Sequence, residues 1–321
     1  MSKPKIYVTR QLPESLLAPF EDLFTIKMWE KDDVPVPRDV LLKEVGDADA
    51  LLSMLSDPIN KELFDHAPNL KIVANLAVGY DNIDIKEAKK RNIVVTNTPD
   101  VLTETTADLA FGLLMATGRR LVESHNYVKE DKWTDWAPFL LAGKDIYRQT
   151  IGIVGMGRIG SAVARRAKGF DMPILYHNRS RNEAVEKELG AKYVSFDELL
   201  EQSDYVVSLV PLTEETKGIF NEKAFKKMKK SAIFINAGRG QTMDEEALYE
   251  ALVNKEILAA GLDVFEVEPI RSDHPLLQLD NVVCLPHIGS ASVHTRETMI
   301  ELCFTNFKNF FSGEGELTEV R

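Results

Sequence analysis

Between Gly152 and Gly160 the chain reads G-I-V-G-M-G-R-I-G, and this stretch narrows the fold more than any other. Gly155, Gly157 and Gly160 have the G-x-G-x-x-G spacing. The apolar run Thr150-Ile151-Gly152-Ile153-Val154 precedes them, and residues 161–167 continue with a helical pattern. That setting predicts a strand, a tight turn and a helix. The first glycine permits the reversal, the second lets a pyrophosphate come against the backbone, and the third lets helix and strand pack closely. The helix N-terminus then offers free N–H groups and a positive dipole end to the phosphates of a dinucleotide. The alternative is a bare tight turn in an unrelated α/β unit.

Strand and helix patterns alternate through the rest of the chain. Strands are predicted over 5–9, 25–29, 48–54, 71–76 and 92–97, with helices over 13–24, 38–45 and, capped by Asn60, 61–66. After the glycine turn, strands are predicted over 173–177, 205–210, 232–236, 257–263 and 282–285. Such alternation means parallel sheets with crossover helices. A length of 321 residues suits two domains. A long helix over 292–311 returns the chain to the first of them. The expected fold is α/β with two Rossmann-like domains. Residues 1–98 and 292–321 form a discontinuous substrate domain, into which residues 99–291, the dinucleotide-binding domain, are inserted.

A net charge of −11 argues against nucleic acid and against an anionic membrane surface as partners. It also requires that an anionic substrate be drawn in by a local cation. No apolar run reaches membrane-spanning length, and the start Met1-Ser2-Lys3-Pro4-Lys5 lacks a secretory apolar region, so a cytoplasmic protein is expected. The two cysteines, Cys284 and Cys303, sit in apolar surroundings without metal-ligand spacing. Both are expected to be buried reduced thiols, and no metal site is expected.

Other stretches carry candidate roles. Ala77-Val78-Gly79-Tyr80-Asp81-Asn82-Ile83-Asp84 follows a predicted strand, on the edge where ligands of open α/β sheets gather. Backbone N–H groups of Val78 and Gly79 could hold a small carboxylate there, or the segment is a simple connecting turn. Residue 178 stands 21 past Gly157, where an NAD-specific site has an acid for the ribose hydroxyls. Here the chain reads Asn178-Arg179-Ser180-Arg181. A neutral residue and two cations suit a 2′-phosphate, which favours NADP(H) with NAD(H) as the alternative. The competing reading is a solvated basic turn. The segment K-W-T-D-W-A-P-F over 132–139 places two tryptophans in a polar loop, either as a dimer contact or folded back on its own domain.

Arg239, Glu268 and His287 stand at or beyond the tips of consecutive predicted strands. Reduction of a 2-oxo acid needs these residue types. A guanidinium holds the carboxylate and polarises the ketone. An imidazolium protonates the forming alkoxide. A carboxylate beside the imidazole fixes its tautomer and favours its charged form.

With these residues in view, the chain resembles the D-isomer-specific 2-hydroxyacid dehydrogenases. The blocks that carry the likeness are A-V-G-Y-D-N-I-D, G-M-G-R-I-G, I-N-A-G-R-G, G-L-D-V-F-E-V-E-P and L-P-H-I-G-S, and they span essentially the whole chain. The resemblance implies Arg239 as substrate-binding arginine, His287 as acid/base and Glu268 as its partner. It implies that Val78 and Gly79 bind the substrate carboxylate and that Asp263 modulates the pH response. Thr106 would lie near the nicotinamide, Arg158 and Ile159 at the pyrophosphate, and Pro211 and Thr213 near the adenosine, with Ala237 and Gly289 also lining the cofactor site. A narrower likeness is to the glyoxylate/hydroxypyruvate reductase branch, which includes 2-ketogluconate reductases. It rests on D-L-A-F-G-L-L-M, W-T-D-W-A-P and Asn-Arg-Ser-Arg. By that likeness Leu55 lines the substrate pocket and Trp136 reaches the pocket of a neighbouring subunit. The expected activity is NAD(P)H-dependent reduction of glyoxylate and hydroxypyruvate to D-2-hydroxy acids by a homodimer. The rival enzyme reading is 2-ketogluconate reduction, and the rival outside enzymes is an NAD(H)-sensing corepressor-like protein.

Overall fold

The computed structural model describes residues 2–320. It divides into two compact units, Met1–Leu102 with Ser292–Arg321, and Thr103–Ala291. No helix among the described residues is long and apolar enough to cross a membrane.

The first unit is built on a five-stranded sheet: β1 (Lys5–Val8), β2 (Thr25–Met28), β3 (Ala50–Ser53), β4 (Ile72–Asn75) and β5 (Val94–Thr96), in the order β2-β1-β3-β4-β5. Every pairing is parallel. Strands β3 and β4 are buried along their whole length, as apolar runs covered on both faces must be, whereas edge strand β2 alternates exposed and half-buried. The helix expected over 13–24 is cut short. It runs only over Glu14–Leu17 and tightens into a 3-10 turn at Ala18–Phe20, because Pro19 has no N–H to donate and its ring crowds the carbonyl of the preceding turn. The Asn60 cap forms as expected, with Oδ1 accepting the Leu63 N–H at 3.2 Å. The returning helix, Val293–Ser312, is capped by Ser292 and buries Met299, Ile300, Cys303, Phe304 and Phe307 in this unit. Phe304 stacks on Phe20 with ring centroids 5.0 Å apart, a contact worth about 1 kcal/mol beyond the area it buries.

The second unit holds seven parallel strands: β6 (Ile151–Val154), β7 (Ile174–His177), β8 (Lys192–Tyr193), β9 (Tyr205–Ser208), β10 (Ile233–Asn236), β11 (Ala259–Leu262) and β12 (Val282–Cys284). Their order is β12-β11-β10-β9-β6-β7-β8. Strands β6, β9, β10 and β11 are buried throughout, between one apolar layer that includes helices Thr103–Gly118 and Arg158–Lys168 and another built around Leu199, Phe225, Phe234 and Leu248. Both units are thus parallel α/β sheets, in agreement with the sequence. A second expectation also fails. Cys303 is buried, but Cys284 is only half-buried, because it ends β12 at the edge of the sheet.

Candidate active site

The second sheet reverses between β6 and β9, with β7 and β8 extending it one way and β10 to β12 the other. Strand ends at such a reversal leave a crevice for ligands. The glycine turn lies at this point. Gly155 has φ +103°, and a Cβ on it would come 2.8 Å from the Leu209 carbonyl carbon just past β9. A Cβ on Gly160 would lie 2.2 Å from the Gly155 oxygen, so helix and turn are in direct backbone contact. A Cβ on Gly157 would meet nothing within 4 Å and would fill the space before helix Arg158–Lys168. An open cradle facing a helix N-terminus fits the pyrophosphate of a dinucleotide.

The other residues expected around that cradle are placed as follows. Arg158 and Ile159 open the helix. Asn178 braces the turn, its Oδ1 accepting the Met156 N–H at 2.8 Å. Arg179, Ser180 and Arg181 follow and are exposed. Pro211 and Thr213 lie in an exposed loop beyond β9, fastened where Thr216 donates its hydroxyl to the Pro211 carbonyl. Thr106 is buried in the first turn of its helix, its methyl 3.2 Å from where a Cβ on Gly289 would stand. Ala237 follows β10 and donates its N–H to the Ser208 carbonyl.

Arg239, Glu268 and His287 follow the carboxyl ends of the neighbouring strands β10, β11 and β12. The His287 and Glu268 side chains meet, Nδ1 to Oε2, at 2.7 Å, and are 23% and 28% exposed. Burial pushes the Glu268 carboxyl up, but the His287 hydrogen bond and charge, with help from Arg239, outweigh it and hold the group below its ordinary value. An ionised carboxylate can only accept, so Nδ1 carries the proton of this bond and Nε2 is left for a ligand.

His287 has φ +53°, a left-handed conformation that needs support in a non-glycine residue. Asp263 supplies it: 1% exposed, it accepts the Ile288 N–H on Oδ1 at 2.8 Å, and burial raises its carboxyl above the ordinary value. The Glu268 loop is fixed by four contacts. Glu268 Oε1 accepts the Phe265 N–H at 2.9 Å, Gln241 donates to the Glu266 carbonyl at 2.8 Å, and the Glu266 N–H reaches Glu245 Oε1 at 2.7 Å. The fourth is steric, since a Cβ on Gly240 would stand 1.9 Å from the Phe265 carbonyl carbon. Arg239's turn and Glu268's loop therefore touch backbone to backbone. Gln241 and Glu245 were not legible as site residues, because their contacts cross 25 and 21 positions and no local spacing signals them.

In the first unit, β3 and β4 end in turns that carry the remaining candidates. Leu55 is half-buried on the turn after β3, where Asp57 Oδ2 accepts the Met54 N–H at 2.8 Å. The carbonyls of Val78 and Gly79 are taken by the side-chain amides of Asn97 and Asn75, each at 2.8 Å. Among the described residues neither N–H donates to a backbone carbonyl. Asn82 ties the two turns together, donating to the Met54 and Asp57 carbonyls at 3.1 and 3.0 Å. Buried Asn75, a polar residue at the end of the apolar strand β4, was the available signal for this network. Trp136 sits apart, on a loop of the second unit, and is 76% exposed.

Comparison with known proteins bears on this geometry. The NAD-binding domain model of the D-isomer specific 2-hydroxyacid dehydrogenases matches residues 111–289. A glyoxylate reductase of Korarchaeum cryptofilum is 55% identical over 313 residues, covering 97% of this chain and 94% of that protein. One from Pyrococcus horikoshii is 52% identical over 316 residues, with the same coverage of 97% and 94%. Among solved structures, the NADPH-dependent glyoxylate/hydroxypyruvate reductase of Sinorhizobium meliloti, in complex with NADP and malonate, superimposes with a TM-score of 0.87. It is 38% identical, over 99% of this chain and 97% of that one.

Proposed function

The chain belongs to the D-isomer specific 2-hydroxyacid dehydrogenase family, and from that premise we propose that it reduces glyoxylate and hydroxypyruvate with NADPH as the preferred donor. The observation that carries the chemistry is the 2.7 Å contact between His287 and Glu268, beyond β12 and β11, the two strands that follow in the sheet from β10, whose end leads into Arg239. When bound, the nicotinamide supplies the hydride. His287 gives the proton from Nε2 to the carbonyl oxygen, while Glu268 holds Nδ1–H and stabilises the ring in its protonated state. Arg239 binds the substrate carboxylate and polarises the carbonyl. In the first unit, the Val78 and Gly79 N–H groups take the carboxylate. The product is the D-2-hydroxy acid where it is chiral. Absorbance at the nicotinamide band with NADPH and glyoxylate tests the reading, and absence of turnover on any small 2-oxo acid ends it.

The cofactor preference rests on the absence of an acid at Asn178 and the presence of Arg179 beyond it. One charge-assisted contact to a 2′-phosphate is worth about 1.5–3 kcal/mol, or roughly tenfold to a hundredfold in affinity. Arg179→Ala is expected to weaken NADPH at least about tenfold while NADH stays within about twofold, read by nucleotide fluorescence titration. Equal weakening of both nucleotides removes the phosphate assignment.

We also assign a homodimer to the second unit. Trp133, Trp136 and Phe139 are 58%, 76% and 87% exposed on one loop, a concentration of large apolar side chains of the kind that marks a protein–protein contact. The same unit has a groove of about 900 Å³ reaching Ser231, Leu258 and Asn281, which precede β10, β11 and β12. That is the sheet edge opposite the catalytic residues, and the groove also reaches Tyr127, Glu130 and Lys132 beside the tryptophan loop, which supports this face as the seat of a second copy. Sedimentation at twice the chain mass is expected, with dissociation on Trp133→Ser/Phe139→Ser; a monomeric wild type overturns the assignment.

A further inference from the structure

Arg181 is not a free cation in this fold. Its Nε donates to Glu186 Oε1 at 3.0 Å and its Nη2 to Oε2 at 2.5 Å, a two-point fork. The guanidinium also lies over the Tyr193 ring, 5.9 Å from its centroid. Glu186 is itself fixed. Its Oε1 accepts the hydroxyl of fully buried Tyr176 at 2.6 Å, and that hydroxyl in turn accepts the Asn182 N–H at 2.8 Å. Only 19% of the Glu186 side chain is exposed. This pair is therefore anchored from the core, unlike an ordinary surface ion pair whose partners drift apart in solvent.

The planar fork that Arg181 gives to a carboxylate is the same fork it would give to a phosphate. Asn178 is already spent on the glycine turn, so Arg179, Ser180 and Arg181 are what the strand end offers a nucleotide's ribose. We propose that Glu186 is a specificity-determining residue, a resident carboxylate that competes with the 2′-phosphate for Arg181 and so limits how strongly the protein prefers NADPH over NADH. This rests on the NADPH reading above. The acid missing at the strand end is present after all, five residues beyond Arg181, where it acts on the cation instead of on the ribose. A nucleotide without a 2′-phosphate has nothing to compete for and leaves the pair intact.

Glu186→Gln separates charge from shape, because an amide still accepts the Tyr176 hydroxyl but neither repels a phosphate nor holds the guanidinium as tightly. Freeing the guanidinium from its carboxylate fork lets it pair with the 2′-phosphate, a charge-assisted contact expected to strengthen binding by about three- to tenfold under surface screening. Calorimetric titration of the full chain with adenosine 2′,5′-bisphosphate is expected to show that gain in Glu186→Gln, with adenosine 5′-monophosphate within about twofold of wild type. Unchanged or weaker bisphosphate binding overturns the proposal and makes Glu186 a mere scaffold for Arg181. In the Arg181→Ala background the Glu186→Gln gain is expected to fall below about twofold; a gain that survives undiminished shows a general charge effect and also overturns it. The wild-type ratio between the two nucleotides tests the NADPH reading, and the variant-to-wild-type ratio tests this one, so either can fail alone.

Discussion

His287→Ala is expected to lower kcat for glyoxylate by about 10²- to 10⁴-fold while the affinity for NADPH stays within about twofold, measured by stopped-flow turnover and fluorescence titration. The magnitude is that of a positioned proton donor removed from the transition state. NADPH binding survives because the cradle at Gly155, Gly157 and Gly160 is formed by a different strand end from the one that carries the imidazole. Glu268→Gln should fall between wild type and His287→Ala, by about tenfold to a hundredfold, because the ring stays in place but loses the ionised acceptor that fixes the proton on Nδ1. Its stability consequence has a definite sign. Glu268 titrates below its ordinary value in the folded protein, so its contribution is complete above the unfolded value, about 4.3, and is lost as pH falls through the folded one. Full turnover in His287→Ala would remove the acid/base assignment.

Arg239→Ala carries a second large effect of a different kind. A guanidinium that binds the carboxylate and also polarises the carbonyl acts in both ground and transition states, so KM should rise and kcat should fall together. The combined loss in kcat/KM is expected to be about 10²- to 10⁴-fold, corresponding to roughly 3–5 kcal/mol. Arg239→Lys should recover only a small part, because an ammonium is a point charge and cannot give two parallel hydrogen bonds. A loss under about tenfold in Arg239→Ala would move substrate binding to another residue.

Local patterns explain what the sequence revealed and where it stopped. Continuous apolar runs marked β3, β4, β6, β9, β10 and β11, since strands covered on both faces have no polar side to interrupt them. The glycine spacing was legible because its geometry is complete within six residues. The helix expected over 13–24 misjudged Pro19, whose effect is also local but was outvoted by the apolar periodicity around it. Charges were the hardest to read. Arg179 and Arg181 look alike in the sequence, yet Arg181 is held by Glu186, which the hydroxyl of buried Tyr176 holds in turn. A string of letters shows which residues are charged but not which charges have met. Asp263 shows the same gap, since only the fold reveals that its carboxylate holds up the His287 turn.

The close approach of Gly240 to Phe265 leaves no room even for a methyl group, and Gln241 and Glu245 fasten the same loop. Residues 239–245 and 264–268 consequently behave as one rigid cassette. Laboratory evolution toward bulkier acids should find its productive changes outside this cassette, because mutations within it disturb the arginine and the glutamate at once. Grafting this chemistry onto another parallel sheet would mean transplanting both segments together.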